Sequence, residues 1–178
     1  TADRDAALER VLIWYLHAAR AVSGTWLFPE LPRDLRHYGQ PDLPSAGGVA
    51  QWLETERANL LAVINHAARV GPRPVSWHLA NALFGYFWLH LPRATWQTTA
   101  QTALDAATAE GDLSGQAAMH SSLGLLQSDR GRAGQAMHHH TRVMDISREL
   151  GWATGQAAAL GGLAQAVALI PGISRSGA

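Results

Sequence analysis

The chain contains no cysteine and no lysine. Without cysteine, disulfides, thiolate metal sites and thiol nucleophiles are excluded. Without lysine, the Ser45-Ala46-Gly47-Gly48 stretch cannot be a phosphate-binding loop. Charge of either sign is scarce, at 16% of the 178 residues, against roughly 25% in an average domain. Much of the surface must therefore be covered by His, Gln, Ser, Thr and Gly, or by a neighbour. The 14 basic residues, all arginine, balance 14 acidic ones. No basic stripe of the kind that drives non-specific nucleic-acid binding is visible. Asp3, Arg4, Asp5, Glu9 and Arg10 exclude a signal-peptide core at the start of the chain. Residues 151–174 carry no charge, but their five glycines, one proline and two glutamines make transfer into a bilayer unfavourable. A soluble, cytoplasmic protein is expected.

What the chain does have is a repeat. Gly115-Gln116-Ala117-Ala118 recurs as Gly155-Gln156-Ala157-Ala158, 40 residues later. Gly71, Gly111 and Gly151 share that spacing, as do Leu83, Leu123 and Leu163, and Leu104 with Met144. A fixed period of this size is the signature of helix pairs that bury their apolar faces only against their neighbours. The fold class expected is all-α, a right-handed helix-pair solenoid with a 40-residue period.

The elements follow from apolar spacing. Residues 3–22 read as a helix with Leu8, Val11, Leu12, Tyr15, Leu16 and Ala19 in one buried stripe. Residues 23–47 are punctuated by Pro29, Pro32, Pro41 and Pro44 and read as irregular. Residues 49–70 read as a helix, with Trp52, Leu53, Ala58, Leu60, Leu61, Val63, Ile64 and Ala67 inward and Glu54, Glu56 and Arg57 outward; Gly71-Pro72 ends it. Helices are expected over 74–90, 94–110, 114–129, 133–150 and 152–169. The division expected is 1–48 (first helix and proline-rich connection), 49–170 (repeats) and 171–178 (flexible tail). The last helix is expected to expose an apolar face.

The string Trp52-Leu53-Glu54-Thr55-Glu56-Arg57-Ala58-Asn59-Leu60-Leu61 resembles a helix of large actinobacterial regulators, in which a STAND ATPase module of the antibiotic regulatory protein type is joined to C-terminal tetratricopeptide-like repeats. Trp77-His78-Leu79-Ala80-Asn81-Ala82-Leu83 looks like the family's next helix, and residues 111–150 and 151 onward look like its 40-residue units. Trp14-Tyr15-Leu16 resembles the helix joining the two modules. The resemblance covers roughly residues 5–170. The family's phosphate-binding loop and DNA-binding domain have no match here.

The resemblance implies a role in holding a protein, a peptide or a small effector, without catalysis, cofactor, direct nucleic-acid contact or membrane. In such units small residues sit where the paired helices cross; Gly124, Ala164 and Ala136 fit that site, and Phe84 departs from it. The inner face would carry His78, Asn81 and Trp88, then Ser121, Leu125, Ser128 and Asp129, then Gln165. Amides there would hydrogen-bond an extended backbone, with Trp88 as an apolar anchor.

Two other constellations carry chemistry in principle. His138-His139-His140 point about 100° apart on a helix and cannot close one site alone; a metal site would need i,i+4 ligands or a ligand from a partner helix, with His120 a candidate on the neighbouring helix. No metal is expected. The tail Pro171-Gly172-Ile173-Ser174-Arg175-Ser176-Gly177 resembles the PGxSRSG motif of undecaprenyl-diphosphate phosphatases, in which serine and arginine grip a diphosphate. This names Ser174, Arg175 and Ser176 as a candidate anion site, or a phosphate-ester hydrolase as an alternative function. The family's glutamate-bearing motif is missing, so no general base accompanies it. A third alternative is an oligomerisation domain, a homodimer formed through the helix at 152–169.

Overall fold

In the computed structural model, residues 2–23, 35 and 48–170 are described. They form eight helices and no strand: α1 (Ala2–Ser23), α2 (Val49–Val70), α3 (Pro74–Ala82), α4 (Phe84–His90), α5 (Arg93–Ala109), α6 (Leu113–Asp129), α7 (Ala133–Glu149) and α8 (Ala153–Ala168). The all-α expectation holds. No helix among the described residues is long and apolar enough to cross a membrane.

The last four helices begin at residues 93, 113, 133 and 153, 20 residues apart. Each of the three turns between them is built the same way. Gly111, Gly131 and Gly151 have φ of 68°, 68° and 64°, the left-handed region that a side chain resists. Each glycine N–H bonds back to Thr108, Ser128 or Arg148, and the next N–H bonds to Ala107, Gln127 or Ser147. This double bond pattern is a Schellman cap, which satisfies carbonyls that a helix end leaves without partners. Gly71 also has positive φ, but its single bond to Ala67 makes a different stop. The sibling of Gly111 and Gly151 is thus Gly131, and the turn recurs at half the spacing visible in the sequence.

The expected helix over 74–90 is interrupted. Leu83 has φ −86° and ψ 5°, and the helix restarts at Phe84. Phe84 then packs edge-on against Trp96 at 5.8 Å.

One core runs from α1 to α6 and includes Leu12, Leu16, Ile64, Trp77, Phe87, Trp96, Leu123 and Leu126. Burial of such rings dominates core energetics. Trp77 is completely covered because α6 has no side chain at Gly115, where a Cβ would stand 2.6 Å from the indole. Trp96 donates Nε1–H to Ser122 Oγ at 2.8 Å, tying α5 to α6. A small separate cluster of Val143, Met144 and Ala159 joins α7 to α8.

Some expected inward positions are corrected. On α1 the buried stripe is Leu12, Ile13, Leu16 and Ala19, while Leu8 and Val11 are exposed. Ala58 on α2 and Ala164 on α8 are exposed too. The small site on α8 is Gly162, two residues earlier than expected, because the helix is rotated so that Gly162 faces His140 of α7.

The two carboxylates of the 52–61 helix, read as solvated, instead anchor neighbours. Tyr15 Oη of α1 donates to Glu56, and Tyr86 Oη of α4 donates to Glu54, each at 2.7 Å. Asn59 first, then Tyr15, lowers the Glu56 pKa by bonding to its charged form. Desolvation, followed by Glu54, pushes Tyr86 up to about 12. Both phenols therefore remain donors at neutral pH.

Candidate functional site

Helix α6 packs against both α3 and α8, so these three helices are neighbours in space. That arrangement brings His78 and Asn81 of α3 next to the helix carrying Ser121, Leu125 and Ser128. Their accessibility differs. His78 and Ser121 are buried, at 8% and 7% exposure; they pack within the helix layer and offer little to a ligand. Asn81, Leu125 and Ser128 are half-buried, and Gln165 and Asp129 are exposed. Trp88 lies on α4, partly exposed, beyond the break at Leu83.

Asp129 is engaged. Its carboxylate accepts from Arg93 Nε at 2.5 Å, and Arg93 also donates to the Trp88 carbonyl at 3.0 Å. The same guanidinium lies 5.7 Å from the Trp96 ring centre. Arg93 therefore joins the end of α4 to the end of α6 and fixes Trp88, which packs edge-on against Trp96 at 5.9 Å. Next to it, Arg130 donates to Gln97. Arg93 was not among the sequence candidates, since a single arginine after Pro92 carries no pattern.

His78 titrates far below its usual range, at about 4, chiefly because burial penalises the imidazolium; Asp112 opposes and Arg20 reinforces the shift. Its Nε2 has no hydrogen-bond partner, nor does Ser128 Oγ.

The three consecutive histidines separate as helix geometry requires. His138 is exposed. His139 reaches across to α6, where its Nδ1 lies 3.0 Å from His120 Nδ1. His140 points the other way, buried between Gly124 of α6 and Gly162 of α8. Among the described residues no group of three or more His, Asp or Glu side chains is placed to hold a metal ion. The candidate anion residues Ser174, Arg175 and Ser176 lie outside the described residues.

Clefts lie away from the α3–α6 face, one of them beside Arg69, Arg73 and Asp105 between α2 and α5. A second sits between α1 and the end of α2, lined by Asp5, Glu9, Leu12, His66 and Val70. Another lies beside Gln97, Gln101 and Arg130. Comparison with protein-family models, with curated proteins and with solved structures finds no match to this chain.

Proposed function

We propose that the chain is a non-catalytic helical-repeat module that holds a protein or peptide segment, or a small effector, as part of a cytoplasmic multidomain regulator of the STAND type. The observation that carries this reading is the recurrence of one helix–turn unit from α5 to α8, with the same Schellman turn at Gly111, Gly131 and Gly151. Two such units make the 40-residue period of a tetratricopeptide-like, right-handed solenoid. Packing of α6 against both α3 and α8 supports the assignment of these three as the inner helices.

Asn81, Leu125 and the exposed Gln165 then form the accessible part of the inner face, with Trp88 at its edge; the Ser128 hydroxyl is buried beneath it. Two amides and two apolar groups suit an extended peptide: the amides bond its backbone and Leu125 and Trp88 receive side chains. Regulation follows if the ligand binds two arrangements of the array with different affinity.

The test is selection of binders from a random peptide-display library on the full chain, with affinities measured by fluorescence anisotropy. Asn81→Ala and Leu125→Ala are expected to weaken the selected peptides by at least about tenfold, near 1.4 kcal/mol. Gln101→Ala, on an exposed position of α5, should leave affinity unchanged. Binding indifferent to Asn81 and Leu125 would contradict the reading.

A second reading, self-association through α8, is favoured by one observation. Leu160 of that helix and Leu169 at its C-cap are 60% and 40% exposed. Light scattering across a concentration series decides it: a mass constant at 19.1 kDa rejects it, and a concentration-dependent dimer abolished by Leu160→Asp supports it.

A further inference from the structure

We propose that His120 and His139 form a two-point chelate for a divalent transition-metal ion, clasping α6 to α7. The two Nδ1 atoms stand 3.0 Å apart on different helices. Metal–imidazole bonds are about 2.0–2.1 Å long, so two nitrogens on one ion are about 2.8–3.4 Å apart for angles between square and tetrahedral. The observed spacing falls within that range, and ligation requires each ring to turn its Nδ1 lone pair from the other nitrogen toward a common point.

The supporting scaffold is rigid. His120 sits in the middle of α6 and His139 in the middle of α7, two 17-residue helices packed directly on one another. Both imidazoles are half-buried, which limits the rotamers they lose on binding. Burial is the main cause that lowers both pKa values, with His139, Arg142 and His138 adding to it for His120 and His138 and His140 for His139. A neutral imidazole is the form that ligates metal. In the metal-free pair one ring donates Nδ1–H to the other. Ligation needs both rings with hydrogen on Nε2, a shift of tautomer with no net proton loss.

The charged groups acting on the pair are Arg142 and neighbouring imidazoles, with no carboxylate among them. A nitrogen-only donor set selects Ni2+, Cu2+ or Zn2+ over Mg2+ and Ca2+. Two protein ligands leave the remaining positions to water, so the site is a moderate-affinity clasp that stiffens the helix pair.

The test is calorimetric titration of the full chain with Ni2+, with Cu2+ paramagnetic resonance alongside. One equivalent of Ni2+ is expected to bind saturably and to raise the melting temperature. His120→Gln or His139→Gln should weaken it by at least about tenfold, and His138→Gln should not. The Cu2+ spectrum of the unaltered chain should show two imidazole nitrogens, a readout that stands if either variant fails to fold. Absence of a saturable site, retention of it in the doubly substituted chain, or its loss in His138→Gln alone would overturn the proposal.

Discussion

A Cβ atom at Gly162 would stand 2.3 Å from Cε1 and Nδ1 of His140. The imidazole occupies the volume that any side chain at this position would need. It is held from the opposite side as well, because a Cβ at Gly124 would be 2.7 Å from the same Cε1. His140 is thus a spacer between α6 and α8, and it cannot move aside.

Adjacent glycines should consequently respond in opposite directions to alanine. Gly161 is exposed, with nothing within 4 Å of its would-be Cβ. Gly161→Ala should gain helix propensity, up to about 1 kcal/mol, and raise the melting temperature by roughly 2–4 °C. Gly162→Ala makes the same propensity gain but overpacks His140, at a cost of about 1–3 kcal/mol. Its melting temperature should fall below that of the unaltered chain. Thermal melts by circular dichroism check both; a rise for both would mean α8 is not seated on His140.

The three Schellman turns differ in one detail that sets a second expectation. Asp112 follows its turn and also caps α6, accepting from Gly115 N–H at 2.7 Å. Arg132, at the equivalent place before α7, makes no side-chain cap bond. Asp112→Ala should cost about 1 kcal/mol. Arg132→Asp should gain a comparable amount, since its carboxylate can accept from the Gln135 N–H as Asp112 accepts from Gly115. Urea unfolding midpoints give the comparison, and equal effects of the same sign would refute it.

Buried neutral histidines set the acid limit of stability. His78 and His140 are both depressed by burial, His78 to about 4. The unfolded chain therefore takes up protons first, near the free value of about 6.5. Stability is full above that pH and declines as pH falls from 6.5 toward 4. His78 alone accounts for on the order of 3 kcal/mol of the decline. Chemical unfolding at pH 7.5 and at pH 5 should show the loss, and His78→Gln should flatten the profile. Unchanged stability across this range would show that His78 is not buried in solution.

The helical map was legible in the sequence because its signals are local. Alanine- and leucine-rich runs closed by glycine put α2 at 49–70 and the later helices within a residue of their ends. The break at Leu83 was not legible: nothing in Ala82-Leu83-Phe84 is a helix breaker, and Phe84's seat on Trp96 belongs to tertiary packing. Alanine-rich helices also blur which face is inward, since Ala and Gly fit on either side. For that reason Ala164 stood in for Gly162. The polar candidates shared a register, yet register does not separate His78, packed within the layer, from Asn81 at its surface. Angular spacing did anticipate that the three histidines would diverge; His120, named only as a candidate on the neighbouring helix, is the one that His139 meets.

The most direct measurement of the central claim is hydrogen exchange on the full chain with and without a selected peptide. Protection concentrated on α3 and α6, around Asn81, Leu125 and Ser128, is the predicted result. Protection confined to α1 and α2, or to the outer face of α8, would contradict the assignment of the α3–α6 face as the surface that holds a ligand.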